Sequence, residues 1–334
     1  MSIDCNRITI SFPEKEKKNP GGKLYNRFGN SRSKRSRPSV EENGKLIDYS
    51  SSQTDEVDDS ISLALKTALS RDSSDWTTVC DKWKKTYSLR QQELSTTSNH
   101  SSFLKSWPKY GDARATQLIK IDFEIMYPGK QHLLLSKWEH FKIIIKRYYE
   151  ANIHNPNCKK QLRLLNSNLS SGNILKDSED FILAILLNSV LPASSRFKDR
   201  NGSNKRKVSI ADAQESFALR IPSIQSYQEN ISELVNKYYN IGLTIQPFIL
   251  CVGQDDYNIH EYYVYLDKTL FKFDSFIEAL DLCFKTFQVL SLKYPLACQS
   301  CWLFIQKYFF NIESKFDFKS SNITSLLNFF KNQS

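Results

Sequence analysis

Glycine and long apolar segments are both scarce in this sequence. Only 10 of the 334 residues are glycine, too few to supply many tight turns or the glycine-rich loops that cradle phosphate groups. The longest apolar run, residues 181–187, is far shorter than the roughly 20 residues that a membrane-spanning helix needs. We therefore expect neither a glycine-loop nucleotide site nor a membrane partner.

Motifs of the common hydrolase and nucleotidase sites are missing as well. The sequence has no Gly-x-Ser-x-Gly elbow, no Walker-type lysine loop and no His-Glu-x-x-His pair. Asp255 and Asp256 are adjacent carboxylates, but they lie in a polar turn, where aspartate is common because its side chain hydrogen-bonds the backbone. We predict no catalytic residue and no cofactor, and a protein that acts by binding and is not an enzyme.

Cysteine and histidine are not grouped as metal ligands. A structural zinc ion needs four ligands, and Cys298-x-x-Cys301 has no second such pair in the sequence. His132 and His140 fall on one predicted helix, too far apart along its axis to share an ion. We predict no metal site. Residues 1–10 contain no apolar signal segment, so we expect reduced cysteines and a nuclear location, with the cytoplasm as the alternative.

Aromatic side chains and positive charge are abundant. Aromatic residues make up 13% of the chain and hydrophobic residues 40%, too much apolar material for a chain without a folded core. The 46 lysines and arginines exceed the 36 aspartates and glutamates, so the formal net charge is +10. That excess favours polyanionic partners such as nucleic acid, acidic proteins or anionic lipid, and a simple contribution to solubility is the alternative.

Residues 1–57 differ in composition from the rest of the chain, and we predict that they form a disordered basic tail. They are rich in lysine, arginine, serine and proline and show almost no apolar periodicity. Little buried surface would then offset the ordering entropy of roughly 1–2 kcal/mol per residue. The tail contains the basic residues Arg32, Lys34, Arg35 and Arg37, which suit a nuclear import receptor or contacts with phosphate groups.

Residues 58–191 have the periodicity of a helical domain. Asp75 is placed to cap one of the predicted helices, and the segment 180–190 is apolar almost all round, which predicts a buried central helix. Residues at helical spacing on a single face include Ile61, Leu65 and Leu69.

Residues 192–222 are polar and basic, and we predict a linker or loop there. Its middle carries the compact basic run Lys205, Arg206 and Lys207. Like the cluster in the tail, this run is a candidate for nuclear import or for phosphate contacts.

Residues 223–330 change to a mixed pattern of helices and strands. The segments 245–252 and 261–266 are rich in β-branched and aromatic residues around a polar turn, which predicts a β-hairpin, with a third strand at 270–273. We predict a mostly α fold with a small C-terminal α+β portion, a β-hairpin plus helices, that packs on the helical part.

The predicted helix at 132–150 interleaves basic and aromatic side chains. Its apolar stripe runs through Trp138 and Tyr148, so we expect Tyr148 in the core. Lys142, Lys146 and Tyr149 fall on the other side of the helix. They predict an exposed basic face of the kind that contacts and stacks on nucleic acid.

Several short motifs built around aromatic residues resemble those of a known protein family. They are Trp83-Lys-Lys-Thr-Tyr87-Ser-Leu-Arg90, Phe103-Leu-Lys-Ser-Trp107-Pro108, Ile121-Asp122-Phe123, Gln246-Pro-Phe-Ile, Tyr263-Val-Tyr-Leu-Asp267 and Trp302-Leu-Phe-Ile-Gln306-Lys307. In these motifs the chain resembles, over residues 60–330, a large family of uncharacterised animal proteins that occur in many copies per genome and are linked to mobile elements. That family has no established activity, so the resemblance implies a folded body and adds no catalytic residue.

We therefore expect a non-enzymatic nuclear interaction protein that associates with chromatin or nucleic acid through its basic segments. Its expected partners are a nuclear import receptor, DNA or RNA, and a further protein. One alternative is an enzyme remnant derived from a mobile element, such as a degenerate nuclease or integrase, which would need about three carboxylates at strand ends. The other alternative is a cytoplasmic protein–protein scaffold.

Overall fold

A computed structural model of the chain describes residues 7–9, 41–42, 45–46, 59–71, 75–97, 99–193, 195–198, 205–241 and 243–333. Within the predicted tail it therefore describes only three short strands, which are β1 (Arg7–Thr9), β2 (Glu41–Glu42) and β3 (Lys45–Leu46). The rest of the predicted tail lies outside the described residues. So does its basic cluster, which consists of Arg32, Lys34, Arg35 and Arg37.

The chain forms two compact units. One comprises residues 11–126, and the other combines residues 1–10 with residues 127–334. This division differs from the predicted boundary at residue 191, because the helices between residues 133 and 190 belong to the same unit as the sheet. The physical reason is the segment 180–190, whose side chains are buried on nearly all sides and therefore need apolar partners all round.

Apart from the short strands β2 and β3, the unit of residues 11–126 is helical in its described part. Its helices are α1 (Asp59–Arg71), α2 (Trp76–Lys85), α3 (Tyr87–Thr96), α4 (His100–Ser106) and α5 (Ala115–Met126), with a 3₁₀ turn at Pro108–Gly111. Asp75 caps α2 as predicted, because its side chain accepts a hydrogen bond from the backbone N–H of Thr78 at 3.0 Å. Thr86 separates α2 from α3, and its hydroxyl donates to the carbonyl of Lys82 at 3.0 Å.

The larger unit begins with three helices, α6 (Leu133–Asn152), α7 (Pro156–Ser171) and α8 (Lys176–Val190). Asn155 caps α7, and Pro156 occupies the first turn, where no backbone donor is needed. Gly172 ends α7 with a φ of +69°, a left-handed conformation that glycine adopts without strain. Helix α8 is buried along almost its whole length, as its composition predicts.

The predicted linker contains regular structure. It holds the strands β4 (Arg196–Lys198) and β5 (Lys205–Lys207), the helix α9 (Ile210–Phe217) and the strand β6 (Ala218–Ile221). The prediction of a loop at 192–222 is therefore wrong for these elements. Strands of three or four residues are too short to show a periodicity that distinguishes them from polar loop.

A five-stranded sheet organises the rest of this unit, and three of its strands follow the helix α10 (Tyr227–Asn240). The predicted hairpin is present as β7 (Phe248–Gly253) and β8 (Ile259–Leu266), and the predicted third strand is β9 (Thr269–Phe273). The order of strands is β1-β9-β8-β7-β6, and all neighbours are antiparallel except β6 and β7. The helix α10 connects that parallel pair, so β6, α10 and β7 form a βαβ crossover.

Helices cover both faces of the sheet. On one face Ile231, Leu234 and Tyr238 of α10 form an apolar cluster with Phe248, Leu250, Tyr263 and Tyr265 of the strands. On the other face lie α8 and α11 (Phe276–Val289), and Phe276 packs edge-on against both Phe181 and Tyr262. The chain continues in α12 (Gln299–Tyr308) and α13 (Ser321–Lys331). The predicted fold class, mostly α with a small C-terminal sheet, is confirmed.

Within the described ranges, no helix combines the length and the hydropathy that a transmembrane span requires.

Candidate functional site

The strands β4 and β5 pair into a short antiparallel ribbon that carries most of the basic residues of the 192–222 segment. Its register places Arg196 opposite Lys207, Phe197 opposite Arg206, and Lys198 opposite Lys205. Two of these cross-strand pairs therefore join two basic residues. Like charges placed directly opposite each other destabilise a ribbon, so its sequence is not optimised for stability alone.

One face of this ribbon is anchored to the body of the unit. Phe197 is buried, as is Val208 just after β5, and both pack in a small apolar cluster with Ala193, Ala213 and Ala297. Successive side chains of a strand point to opposite faces.

The anchoring determines what the ribbon presents to solvent. Arg196, which precedes Phe197, and its cross-strand partner Lys207 are both exposed. Among the described residues, no carboxylate lies within 4.0 Å of the charged nitrogens of Arg196 or Lys207. Their charges are therefore available to a polyanion as far as the described neighbours are concerned.

Arg206 differs from Lys207 because it is already paired. Its Nη1 donates to Oδ2 of Asp212 at 2.5 Å, and its Nη2 donates to Oδ1 at 3.2 Å. The guanidinium also lies 5.1 Å from the centre of the Phe197 ring. Of the candidate run Lys205, Arg206 and Lys207, only Lys207 has an exposed side chain without such a partner among the described residues, and for Lys205 the structure describes only the backbone pairing.

Asp212 is the centre of a small polar network at the N-terminus of α9. The hydroxyl of Ser209 accepts from the backbone N–H of Asp212 at 3.0 Å, and the Asp212 carboxylate accepts from the backbone N–H of Ser209 at 3.0 Å, so the two residues form a capping box. The Ser209 hydroxyl also donates to that carboxylate at 2.7 Å. Lys237 lies 3.3 Å from the same carboxylate and also pairs with Glu215. Burial disfavours the charged carboxylate, but the hydrogen bonds from Arg206 and Ser209 outweigh it and hold the pKa of Asp212 well below its ordinary value.

This network predicts a pH dependence with a definite sign. A carboxylate whose pKa is lower in the folded than in the unfolded chain stabilises the fold above its ordinary pKa of 3.8, and the contribution is lost as the pH falls through the folded value. We expect Asp212→Asn to lower the free energy of unfolding at about pH 7, and the deficit to shrink below about pH 4. Urea unfolding of both proteins across this range measures it. A deficit that does not change with pH would contradict the assignment.

The predicted basic face on α6 is not a surface. Lys142 is only 6% exposed, and its Nζ lies 3.1 Å from Glu139, 3.4 Å from Glu179 and 3.1 Å from Asp180. Lys146 is half-buried and pairs with Glu179. Burial opposes the charged form of Lys142, but the surrounding carboxylates prevail and raise its pKa. These two lysines are thus neutralised between α6 and α8, and the prediction of a nucleic-acid surface here is wrong.

The two tyrosines of α6 have the opposite burial to the one predicted. Tyr149, which was expected on the exposed face, is completely buried, and its hydroxyl donates to the carbonyl of Leu183 at 2.7 Å. Tyr148, which was expected in the core, is half-buried with its ring edge-on to Phe329 at 5.0 Å. The reason is that α6 is covered on more than one side, by α8 and by α13.

The Cys298-x-x-Cys301 pair lies inside the larger unit. Both thiols are buried; the Sγ of Cys298 is 3.6 Å from the Ser216 hydroxyl, and the Sγ of Cys301 is 3.2 Å from the Asn188 side-chain oxygen. Burial raises the pKa of Cys298 to about 12, so it is a poorly reactive thiol at neutral pH. In the part of the chain that the structure describes, no group of three His, Cys, Asp or Glu residues is arranged to hold a metal ion.

The adjacent carboxylates of Asp255 and Asp256 have separate structural partners. Asp255 accepts a hydrogen bond from the backbone N–H of Tyr257 at 2.8 Å, as expected of an aspartate in a turn. Asp256 lies beside the parallel pair β6 and β7, where it accepts from Nε of Arg220 at 2.7 Å and from the amide of Gln161 at 2.9 Å. Both carboxylates thus stabilise the turn after β7.

Sequence reasoning found the basic run of the ribbon but missed its partners. The sequence does contain a weak indication of the anchoring, since Phe197 and Val208 are apolar residues next to polar stretches that are rich in basic residues. What could not be seen is that they anchor the two strands to the same cluster. Comparisons of the chain with protein-family models, with curated proteins and with solved structures found no match.

Proposed function

We propose that this chain is a non-enzymatic nuclear interaction protein that associates with nucleic acid through basic segments, and that the ribbon of β4 and β5 is one of the contacting elements. The observation that supports the proposal is the ribbon's pairing of basic residue with basic residue, Arg196 with Lys207 and Lys198 with Lys205. A phosphate backbone placed against these pairs would relieve the repulsion that the ribbon otherwise carries.

The shape of the ribbon is compatible with such a contact. A two-stranded antiparallel ribbon is narrow enough to enter the major groove of duplex DNA, and strands are used in this way by several DNA-binding folds. Arg196 and Lys207 lie on the exposed face, while Phe197 holds the opposite face to the body of the unit. The ribbon therefore presents its cations on a supported element, which lowers the entropy lost on binding.

The proposal predicts a change in the salt dependence of binding. We expect Arg196→Gln/Lys207→Gln to weaken binding to duplex DNA and to make the slope of log K against log salt shallower by about 1.8, because each phosphate contact contributes about 0.9. Fluorescence anisotropy of labelled duplex DNA, titrated with the full chain at several salt concentrations, measures the slope. Single-stranded RNA of the same length forms the second arm and shows which nucleic acid is preferred.

The matched control removes the same charge from another surface. Lys84 and Lys85 are exposed on α2, so Lys84→Gln/Lys85→Gln has the same net charge as the ribbon variant. We expect this control to bind with the wild-type slope. Equal slopes for the two double variants would show that only net charge matters, and no binding of wild type at low salt would refute the association with nucleic acid. Exclusion of the tagged full chain from the nucleus would refute the nuclear part.

A further inference from the structure

Ser209 lies on the surface two residues after the end of the basic strand β5, with Val208 between them. Its side chain is exposed, and Arg206 and Lys207 precede it by three and two residues. The backbone from Lys205 to Ser209 is extended, since β5 leads into Ser209 at φ −79° and ψ 162°. One class of serine kinases selects its substrates in this way, because an acidic groove binds an extended segment with cations at those two positions.

The hydroxyl of Ser209 lies next to a group of charges that a phosphate would rearrange. It donates to the carboxylate of Asp212 at 2.7 Å, and that carboxylate also holds Arg206 and Lys237 at 2.5 Å and 3.3 Å. The dianionic form of a phosphate has no proton to donate to Asp212, and a phosphate group with its charge of about −1.5 to −2 at pH 7 repels a neighbouring carboxylate. Arg206 and Lys237, which both pair with the Asp212 carboxylate, would then be the candidate partners of the phosphate.

We infer that Ser209 is a phosphorylation site for a basophilic serine kinase, and that its modification weakens the binding of polyanions by the ribbon. The second half of this inference rests on the function proposed above. In the transfer, the bond from the Ser209 oxygen to the γ-phosphorus of a nucleoside triphosphate forms while the bond to the β–γ bridging oxygen breaks. The hydroxyl proton passes to the catalytic base of the kinase, and a nucleoside diphosphate leaves.

The expected effect on the ribbon follows from distance and charge. The phosphate is added two residues after Lys207, about 7 Å along an extended backbone, which is within the screening length of about 8 Å at physiological ionic strength. It therefore offsets the cations that the ribbon presents. The N-terminus of α9 tolerates the added negative charge, because the helix dipole favours anions there. The modification should consequently change binding without unfolding the unit.

Two substitutions separate charge from capping. Aspartate and asparagine are both good N-cap residues, so Ser209→Asp and Ser209→Asn keep the start of α9 and differ in one charge. We expect Ser209→Asp to bind duplex DNA about five- to tenfold more weakly than Ser209→Asn near 0.1 M salt, the loss of about one phosphate contact. Circular dichroism and urea unfolding establish that both variants are folded.

The phosphorylation itself is tested on the full chain with a purified kinase that requires arginine and a second basic residue before its serine. Peptide mass spectrometry is expected to find phosphate on Ser209 in the wild type, and none on residue 209 of Ser209→Asn. Absence of phosphate on Ser209 would overturn the inference, whatever other serines are modified. So would equal DNA affinity of the two variants when the wild type binds. If the wild type does not bind nucleic acid, the proposed function fails, while the mapping still decides whether Ser209 is a site.

Discussion

Arg90→Met is expected to lower the free energy of unfolding of the unit of residues 11–126 by about 3 to 5 kcal/mol, the usual cost of removing one partner of a buried ion pair. Arg90 and Asp122 are both completely buried. The substitution leaves the Asp122 carboxylate in an apolar interior without its counter-charge, which costs far more than the lost attraction alone.

The geometry around Arg90 explains why the effect should be large. Its Nη2 donates to one oxygen of Asp122 at 2.5 Å and its Nε to the other at 3.2 Å. Its Nη1 donates to the carbonyl of Trp83 at 2.7 Å and to the hydroxyl of Thr86 at 2.6 Å. The guanidinium also lies 3.9 Å from the centre of the Trp83 ring. A lysine has no planar fork to make these contacts together, so it should not replace Arg90.

Two further variants test that explanation. Lys84 pairs with Asp81 on the exposed surface of α2, so Lys84→Met should change stability by less than about 1 kcal/mol. The double substitution Arg90→Met/Asp122→Leu removes both charges, and it should lose less stability than Arg90→Met alone. Urea unfolding followed by tryptophan fluorescence measures all three. A similar loss for Arg90→Met and Lys84→Met would contradict a buried, mutually dependent pair.

Lys142→Met is expected to lower the free energy of unfolding by about 3 kcal/mol and to leave binding to nucleic acid unchanged. The ammonium group is the shared counter-charge of Glu179 and Asp180, and both of these carboxylates are buried. Asp180 also accepts a hydrogen bond from Nε1 of Trp138 at 2.9 Å, which cannot by itself balance the negative charge. Removing Lys142 therefore leaves excess negative charge between α6 and α8.

The comparison variant for this second prediction is Lys176→Met. Lys176 is 73% exposed and lies 3.7 Å from Glu139, so its loss should be nearly neutral for stability. Thermal unfolding and DNA anisotropy of the two variants separate the structural role from a binding role. If Lys142→Met weakened DNA binding while remaining as stable as Lys176→Met, the predicted basic face on α6 would have to be reinstated.

Local features of this fold could be predicted from the sequence because their causes are local. The cap at Asp75, the all-apolar helix at 180–190 and the hairpin of β7 and β8 each depend on residues that are neighbours in the chain. A capping side chain reaches two or three residues, and a strand or helix pattern is visible over one element. The predicted class, mostly helical with a small C-terminal sheet, follows from these elements.

The exposure of the candidate site residues could not be predicted, because it depends on contacts between residues that are far apart in the sequence. Whether Lys142 is a surface cation or a buried counter-charge depends on α8, which begins more than thirty residues later in the chain. Whether Tyr148 or Tyr149 is buried depends on how many neighbouring helices cover α6. A single apolar stripe in the sequence indicates only one such neighbour.

The sequence by itself determined the fold class, the cap at Asp75, the buried helix at 180–190, the hairpin of β7 and β8 and how much positive charge the chain carries. Only the tertiary structure decided which cations remain exposed: Asp212 neutralises Arg206, whereas Arg196 and Lys207 face solvent. The physical reason is that propensity and capping act over a few residues, while the charge on a surface is set by partners brought together from distant parts of the chain. The unusual pairing of cations across the ribbon of β4 and β5 became visible only when its register was known.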